Sequence, residues 1–294
     1  MRISIPLAIL LSVAWLVLMS VLISRGGDGA RLSAAPADDA AGLLRQSQAA
    51  MLELDSLQLE MTTQWEGRED TYRVVWQSPD SFHVLAPSVV AHYYESVQEP
   101  EITDYGFVEA IAIADRLYTR QCAEENEDCQ LWGEGLRDGT YVPAFAGQFL
   151  DPFWTIEILG LMSDAQVVGQ EEVDGVSSTR IQGRANITRA MIQSWRRAEE
   201  IRGPLYWGQE CTGRPAEAGA ETQEECHSFT LEEYTATYEE TLRDQDENPL
   251  LVEVWIGRED KLLRRLEFRT AVAEEPGGSF TFSRFDEVTV EPPK

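Results

Sequence analysis

The stretch LLVEVWIGREDKLLRRLEFRT, residues Leu250–Thr270, decides the fold of this chain. Apolar side chains alternate with more polar ones on both sides of Gly257–Lys261, a short segment that contains Gly and Asp. The apolar positions are Val252, Val254, Ile256, Leu262, Leu266 and Phe268. Period-two patterning around a short turn predicts a β-hairpin. One face of this hairpin is apolar and the other carries most of the charge. The pair is therefore expected to cover a core or cavity on one side and to meet water on the other.

Alternation of the same kind recurs along the chain and predicts one antiparallel sheet with a single apolar face. Asp174-Gly175 is a strong two-residue turn signal between two of these segments. Trp132–Val142 contains several Gly residues and is predicted to be irregular. The predicted strands lie at Leu57–Trp65, Tyr72–Gln77, Phe82–Tyr94, Phe107–Ile113, Leu117–Cys122, Val167–Val173, Val176–Arg184 and Phe280–Val290.

Four further segments show helical spacing. Ala40–Leu54 predicts an amphipathic helix laid on the sheet. Asp151-Pro152 opens a short helix, since Pro is favoured at the first helical position. This second helix is apolar nearly all round, so it is expected to be buried or to line something apolar. Thr188–Arg202 and the acidic segment Leu231–Leu242 are also predicted to be helices.

The charge of the chain restricts its partners. The 51 acidic residues outnumber the 24 basic ones and give a formal net charge of −27. Such an excess disfavours nucleic acid and anionic lipid headgroups, so no nucleic-acid partner is predicted. Because the acidic residues are scattered along the chain, a self-repelling, solvated surface is the preferred interpretation.

The amino terminus predicts a membrane anchor. Ile3–Ser24 has 22 residues without a charge, which as a helix would span roughly 33 Å. A secretory signal peptide usually has a shorter apolar core. Residues 1–25 are therefore predicted to be a single-pass transmembrane signal-anchor, followed by a linker at 26–39. The alternative is a cleaved signal that leaves a secreted or periplasmic protein. Both alternatives make the remainder of the chain extracytoplasmic.

The four cysteines form two local pairs. Cys122 and Cys129 bracket one polar segment, and Cys211 and Cys226 bracket another. Two disulfides, Cys122–Cys129 and Cys211–Cys226, are the natural interpretation for an exported domain. A zinc site is the alternative, but the spacings fit no C-x-x-C pattern and the only nearby histidine is His227.

The chain lacks the sequence patterns of catalysis. No G-x-S-x-G elbow, H-E-x-x-H helix, P-loop or G-x-G-x-x-G turn occurs. The three histidines, His83, His92 and His227, are widely separated, and His83 falls on the polar face of its strand. We therefore predict that the protein is not an enzyme, and we nominate no catalytic residue, metal or cofactor.

Four stretches resemble the LolA/LppX-like superfamily of bacterial envelope proteins, in particular the LppX/LprG-type lipoprotein carriers. They are AMLELDSLQLEMTTQWEG, VVGQEEVDGVSSTRIQGR, VEVWIGREDKLLRRLEF and the ending FTFSRFDEVTVEPP. The resemblance implies an α+β fold, a curved antiparallel β half-barrel whose helices cover a concave apolar face around a hydrophobic cavity. It also implies a domain at 40–294, with an insertion at about 186–248. The lipobox cysteine of lipid-anchored members is missing here, so a protein anchor is expected in its place.

Apolar and aromatic side chains line most ligand pockets, and an acyl chain needs little directional chemistry. The candidate cavity residues are Trp65, Tyr72, Val74, Trp76, Phe82, Trp154, Ile156, Leu159, Val254, Leu266, Phe268 and Phe282. From the sequence alone, simple core packing of these residues is the competing interpretation.

The resemblance predicts a membrane-tethered protein that holds the acyl chains of a lipid or lipoprotein in a hydrophobic cavity, as a carrier. The alternative is an envelope sensor or regulatory interaction domain on the same scaffold, with a protein partner at the 203–227 loop. One scaffold can serve either function.

Overall fold

The computed structural model describes residues 37–65, 68–79, 81–92, 101–124, 127–136, 152–203, 209–213, 224–269 and 276–293. The helices are α1 (Ala37–Leu52), α2 (Pro152–Leu161), α3 (Ile187–Arg202), α4 (Leu231–Ala236) and α5 (Glu239–Glu247). The strands are β1 (Ser56–Trp65), β2 (Arg68–Gln77), β3 (Ser81–His92), β4 (Glu101–Ile113), β5 (Arg116–Glu124), β6 (Glu127–Cys129), β7 (Gly133–Leu136), β8 (Ser163–Val173), β9 (Val176–Ala185), β10 (Gln209–Gly213), β11 (Glu224–Ser228), β12 (Leu250–Gly257), β13 (Leu263–Arg269) and β14 (Pro276–Ser283).

One large antiparallel sheet dominates the described part of the chain. Its strand order is β6-β5-β4-β3-β2-β1-β14-β13-β12-β9-β8, and β7 pairs with β5. The sheet is open in the described residues, because β6 and β8 lie at opposite edges. Helices packed on one face of an antiparallel sheet make this an α+β fold, as predicted.

The hairpin that decides the fold is confirmed as β12 and β13. Val252 pairs with Phe268 and Val254 pairs with Leu266, so these apolar side chains share one face. Both valines have no exposed surface. In the turn, a side-chain oxygen of Asp260 accepts a hydrogen bond from the backbone N–H of Leu262 at 3.1 Å. The alternation and the turn residues together specified this element.

The turn at Asp174-Gly175 is also confirmed, between β8 and β9. Both residues have positive φ angles, 49° for Asp174 and 79° for Gly175. A type I′ turn requires positive φ at both central positions, and Asp followed by Gly suits this requirement well. This turn sets the pairing of β8 with β9, from Val173 opposite Val176 onward. On its other side β9 pairs with β12, where Ile181 lies opposite Val254.

The helices lie on the apolar face of the sheet. Helix α1 packs against α2, β8 and β13, and α3 packs against α2. Helix α2 starts at Pro152, as predicted, and its residues from Trp154 to Leu159 are all buried. A helix buried around its whole circumference needs apolar neighbours on every side. The sheet provides them below, and α1 and α3 provide them at the sides.

Four local predictions differ from the structure. The predicted helix Leu231–Leu242 is two helices, α4 and α5, because the backbone tightens between them: the N–H groups of Thr237 and Tyr238 bond to carbonyls only three residues back. The predicted loop between 203 and 227 contains the strand pair β10 and β11. Part of the predicted irregular segment is β7, which pairs with β5. The last strand ends at Ser283, since Arg284 and Asp286 have positive φ angles of 50° and 57°.

The Cys122–Cys129 disulfide is confirmed and joins β5 to β6 at directly paired positions. Cys211 and Cys226 are also directly opposite each other across β10 and β11. The disulfide between them stays a prediction.

The predicted signal-anchor at 1–25, and most of the linker, lie outside the described residues. Within the described ranges, no helix has the length and apolar character needed to cross a bilayer.

Candidate functional site

The structure gathers nearly all the predicted cavity residues into one buried cluster. Tyr72 is partly buried against this cluster, and the side chain of Trp65 lies outside the described part of the chain. The other predicted residues are at most 5% exposed: Val74, Trp76, Phe82, Trp154, Ile156, Leu159, Val254, Leu266, Phe268 and Phe282. Their common position is therefore observed, whereas their role in binding a ligand stays a prediction.

The register of the sheet explains why residues so distant in sequence meet. One row of paired positions crosses six strands on the apolar face. It runs through Ile181, Val254, Leu266, Phe280, Met61 and Tyr72. Each strand contributes every second residue to this face, so alternation along the chain becomes a continuous apolar surface across the sheet.

Helix α2 covers the aromatic part of this surface. The ring of Trp154 meets the ring of Phe280 edge-on, with centroids 5.1 Å apart. The ring of Phe153 meets Trp76 in the same way at 5.0 Å. Such edge-to-face pairs contribute about 0.5–1.5 kcal/mol each beyond the burial of their area. The two contacts fix α2 over β14 and β2.

The prediction missed several members of the cluster. Leu57, Leu59 and Met61 alternate along β1 and are at most 4% exposed, so the pattern used for β2 would have found them. Met191 and Trp195 of α3 are also buried in the cluster, although they belong to the predicted insertion at 186–248. Their spacing on one side of a predicted helix was the available signal.

Two buried side-chain donors in this region have no acceptor in the described part of the chain. One is Nε1 of Trp76, whose residue is 5% exposed, and the other is Oγ of Ser47 in α1, which is fully buried. A buried donor without a partner costs about 1–3 kcal/mol. Most buried indole N–H groups in proteins find an acceptor.

One carboxylate joins the helices to one another. Glu157 of α2 is 6% exposed, and its Oε1 lies 2.6 Å from a guanidinium nitrogen of Arg197 in α3. The side-chain amide of Gln48 in α1 donates to the other oxygen at 3.4 Å. A Cβ atom at Gly160 would lie 2.7 Å from the Gln48 side chain, so glycine permits this close approach of α1 and α2.

The helices also form a groove away from the predicted residues. Its volume is about 330 Å³, and α3 faces α4 and α5 across it. Ile192 and Leu242 contribute apolar surface, while Arg196 and Glu232 contribute charge. None of the predicted cavity residues lines this groove.

Ionisable groups cluster on the other face of the sheet. Glu109 lies 2.6 Å from Nε2 of His83 and accepts a hydrogen bond from Nε of Arg120 at 2.5 Å. Burial raises the pKa of Glu109, but hydrogen bonds and charge interactions with His83 and Arg120 outweigh it and lower the pKa below its ordinary value. In the described ranges, no group of three or more His, Cys, Asp or Glu residues is arranged to hold a metal ion.

Comparison with solved structures finds proteins of the kind that the sequence resembles. The chain is similar to LprF from Mycobacterium bovis, with 14% identity and a TM-score of 0.48 over 88% of this chain and 99% of that one. It is also similar to the lipoprotein LppX from Mycobacterium tuberculosis, with 15% identity and a TM-score of 0.41 over 87% of this chain and 100% of that one. The predicted resemblance to LppX-type proteins is confirmed as a structural similarity.

A more distant match is the MucA/MucB complex of Pseudomonas aeruginosa. It has 11% identity and a TM-score of 0.32, covering 85% of this chain and 56% of that one. No family model and no curated protein matches the sequence. Because these identities and TM-scores are low, the fold of this chain is described from its own strands and helices and not from these similarities.

Proposed function

We propose that the chain binds the acyl chains of a lipid or lipoprotein between α2 and the apolar face of the sheet, in a carrier role. Moving hydrocarbon from water into an apolar interior stabilises a complex by about 0.8 kcal/mol per methylene. Such binding needs a broad apolar surface and few polar contacts. The row from Ile181 to Tyr72 and helix α2, which is buried from Trp154 to Leu159, support this kind of site.

The observation that carries the proposal is the buried indole N–H of Trp76. In the described residues it has no acceptor, although the ring is packed against Phe153 and 5% of the residue is exposed. An ester or amide carbonyl at the head of an acyl chain would accept this hydrogen bond. The hydrocarbon would then lie among the neighbouring apolar side chains, Phe82 and Trp154 included.

The experiment compares two adjacent valines on opposite faces of β2. Val74 is fully buried on the apolar face, whereas Val75 is half-buried on the other face, where it pairs with His83. The full chain and its V74W and V75W variants are purified, extracted with organic solvent, and assayed for lipid per mole of protein. V74W fills the site and is expected to lose most of its lipid, whereas V75W retains it.

Equal lipid content in the two variants, with both folded, would contradict the proposal. If V74W does not fold, W76F gives a second test, since it removes the N–H and keeps a ring. W76F is expected to bind an ester lipid about fivefold more weakly, as expected for one lost hydrogen bond of about 1 kcal/mol. W195F is the matched control, because it removes a similar volume from the same buried cluster at a residue of α3 outside the proposed acyl site, and it is expected to leave binding unchanged.

We further propose that residues 1–25 anchor the protein in the membrane, that 26–39 is a linker, and that 40–294 is the extracytoplasmic lipid-binding domain with its insertion at about 186–248. The uncharged run Ile3–Ser24 supports the anchor. The Cys122–Cys129 disulfide supports an oxidising compartment. Retention of the full chain in membranes after alkaline extraction, and its release when residues 1–25 are removed, tests the anchor.

A further inference from the structure

The outer face of the sheet, opposite the helices, has four arginines at the corners of a rectangle. Arg180 and Arg184 are on β9, and Arg265 and Arg269 are on β13, with β12 between them. The register pairs Arg180 with Trp255 and Trp255 with Arg265. Four residues away along β12, Leu251 lies between Arg184 and Arg269 in the same way. Standard strand dimensions make this rectangle about 10 Å by 13 Å. We call these four residues the arginine patch.

Two carboxylates, those of Glu253 and Glu267, lie beneath the guanidinium groups of the arginine patch, and a third, Glu171, lies exposed beside it. The side chains of Glu253 and Glu267 are only 3% and 6% exposed, whereas those of Arg180, Arg265 and Arg269 are 33%, 40% and 38% exposed. Solvent therefore meets arginine at this surface. This is unusual in a chain with 51 acidic and 24 basic residues.

Two of the four arginines are committed to their neighbours. Nε of Arg180 donates to Glu253 at 3.0 Å, and Arg265 forms an ion pair with Glu267. Both guanidinium groups also lie over the ring of Trp255, at 5.3 Å and 5.1 Å from its centroid. The indole N–H of Trp255 in turn donates to Glu171. These contacts make one end of the patch rigid.

The other two arginines keep donors available. The guanidinium of Arg269 lies 3.9 Å from Glu253 and 3.8 Å from Glu267, beyond hydrogen-bond length. Arg184 is exposed, and its Nη1 donates to the carbonyl of Pro249 at 3.2 Å. An arginine presents five donors in a fixed fork that matches a carboxylate, so both residues can bind a further anion.

We infer that the arginine patch is a docking surface for an acidic, extended segment of a partner protein. Carboxylates of that segment would bind Arg184 and Arg269, and the adjoining Arg180 and Arg265 would add attraction. Arginine and tryptophan are enriched at the energetic centres of protein interfaces. In an extended segment that runs along the strands, side chains four residues apart lie about 13 Å apart on one side. One carboxylate can therefore meet Arg184 or Arg269 while a second meets Arg180 or Arg265 at the other end of the same long edge.

A narrow acidic segment fits this surface better than an anionic membrane does. A membrane would face much of the protein at once, and the net charge of −27 would be repelled by it. A short segment meets only the patch, where four arginines face three carboxylates, Glu171 included. The docking surface lies on the opposite face of the sheet from the proposed acyl site and does not depend on that site.

The test uses a fluorescently labelled octa-glutamate peptide and the full chain in detergent, with binding followed by anisotropy at low salt. R184E removes one exposed arginine of the patch. R116E is the matched control, since Arg116 is a half-exposed arginine on β5, far along the sheet, and carries an ion pair of 2.8 Å to Glu134. Both variants change the net charge equally. We expect saturable binding that R184E weakens about tenfold and R116E leaves within twofold of the wild type.

Three results would overturn the inference. The first is no binding of the peptide. The second is an equal loss of binding in R184E and R116E, which would indicate only the average charge of the protein. The third is binding to phosphatidylglycerol vesicles that depends on Arg184, without binding to the peptide, which would assign the surface to a membrane. Circular dichroism at increasing temperature checks that both variants remain folded.

Discussion

At β9, β12 and β13 the sheet has buried residues on both of its faces, but they are buried by different means. On the face under the helices, Val254 and Leu266 are fully buried by apolar neighbours. On the outer face, the side chains of Glu253 and Glu267 are 3% and 6% exposed because arginine side chains lie over them. Adjacent residues of one strand are thus buried by apolar packing on one face and by ion pairing on the other. The apolar face suits a hydrocarbon ligand, and the outer face suits a charged partner.

The largest expected effect comes from the apolar face. Phe280 has no exposed surface and contacts both Trp154 and Phe268. F280A leaves a cavity beneath α2 and is expected to lower the free energy of unfolding by about 3–5 kcal/mol, measured with urea. The half-buried Phe285 is the control, and F285A is expected to cost less than half as much. A loss below about 1 kcal/mol for F280A would mean that α2 does not depend on this contact.

On the outer face, removing one charge of an ion pair should lower the free energy of unfolding, and removing both charges should restore much of it. R180M leaves the carboxylate of Glu253 without its closest partner and is expected to cost about 1–3 kcal/mol. This is less than for a fully buried pair, because Arg180 is one third exposed. R180M/E253M removes both charges and is expected to regain much of the loss. Additive losses in the double variant would show that apolar packing, not pairing, stabilises this face.

A smaller effect is expected at Glu109, also on the outer face, where the stability of the fold should depend on pH. The pKa of Glu109 is lower in the folded chain than its ordinary value of 4.5. The unfolded chain therefore binds a proton more readily, so this carboxylate stabilises the fold above the ordinary pKa. That contribution is lost as the pH falls through the lowered value. Between pH 7 and pH 3, E109Q is expected to lose less stability than the wild type in urea titrations. A loss identical to that of the wild type would contradict the pairing with His83 and Arg120.

Local patterns in the sequence predict the strands and turns well. The alternation around Gly257–Lys261 and the Asp174-Gly175 turn each depend on residues close together in the chain. The hairpins that they form could therefore be predicted from the sequence. The shared burial of most candidate cavity residues could also be predicted, since period-two alternation places every second residue on one face.

Features made by distant residues could not be derived in this way. The burial of Glu253 depends on Arg180, 73 positions away, and an alternating charged residue ordinarily indicates a solvated face. The burial of Tyr238 depends on packing against Trp195 of another helix, 43 positions away. Neither contact leaves a local signal, because each arises only after the sheet and helices have assembled.

Native mass spectrometry of the full chain, purified from its own host in a mild detergent, tests the central claim most directly. The account predicts one lipid adduct per chain, lost on organic extraction and greatly reduced in V74W but not in V75W. A mass without lipid, unchanged after incubation with lipid extract from the host, would contradict it. The residues gathered beneath α2 would then be a filled core alone.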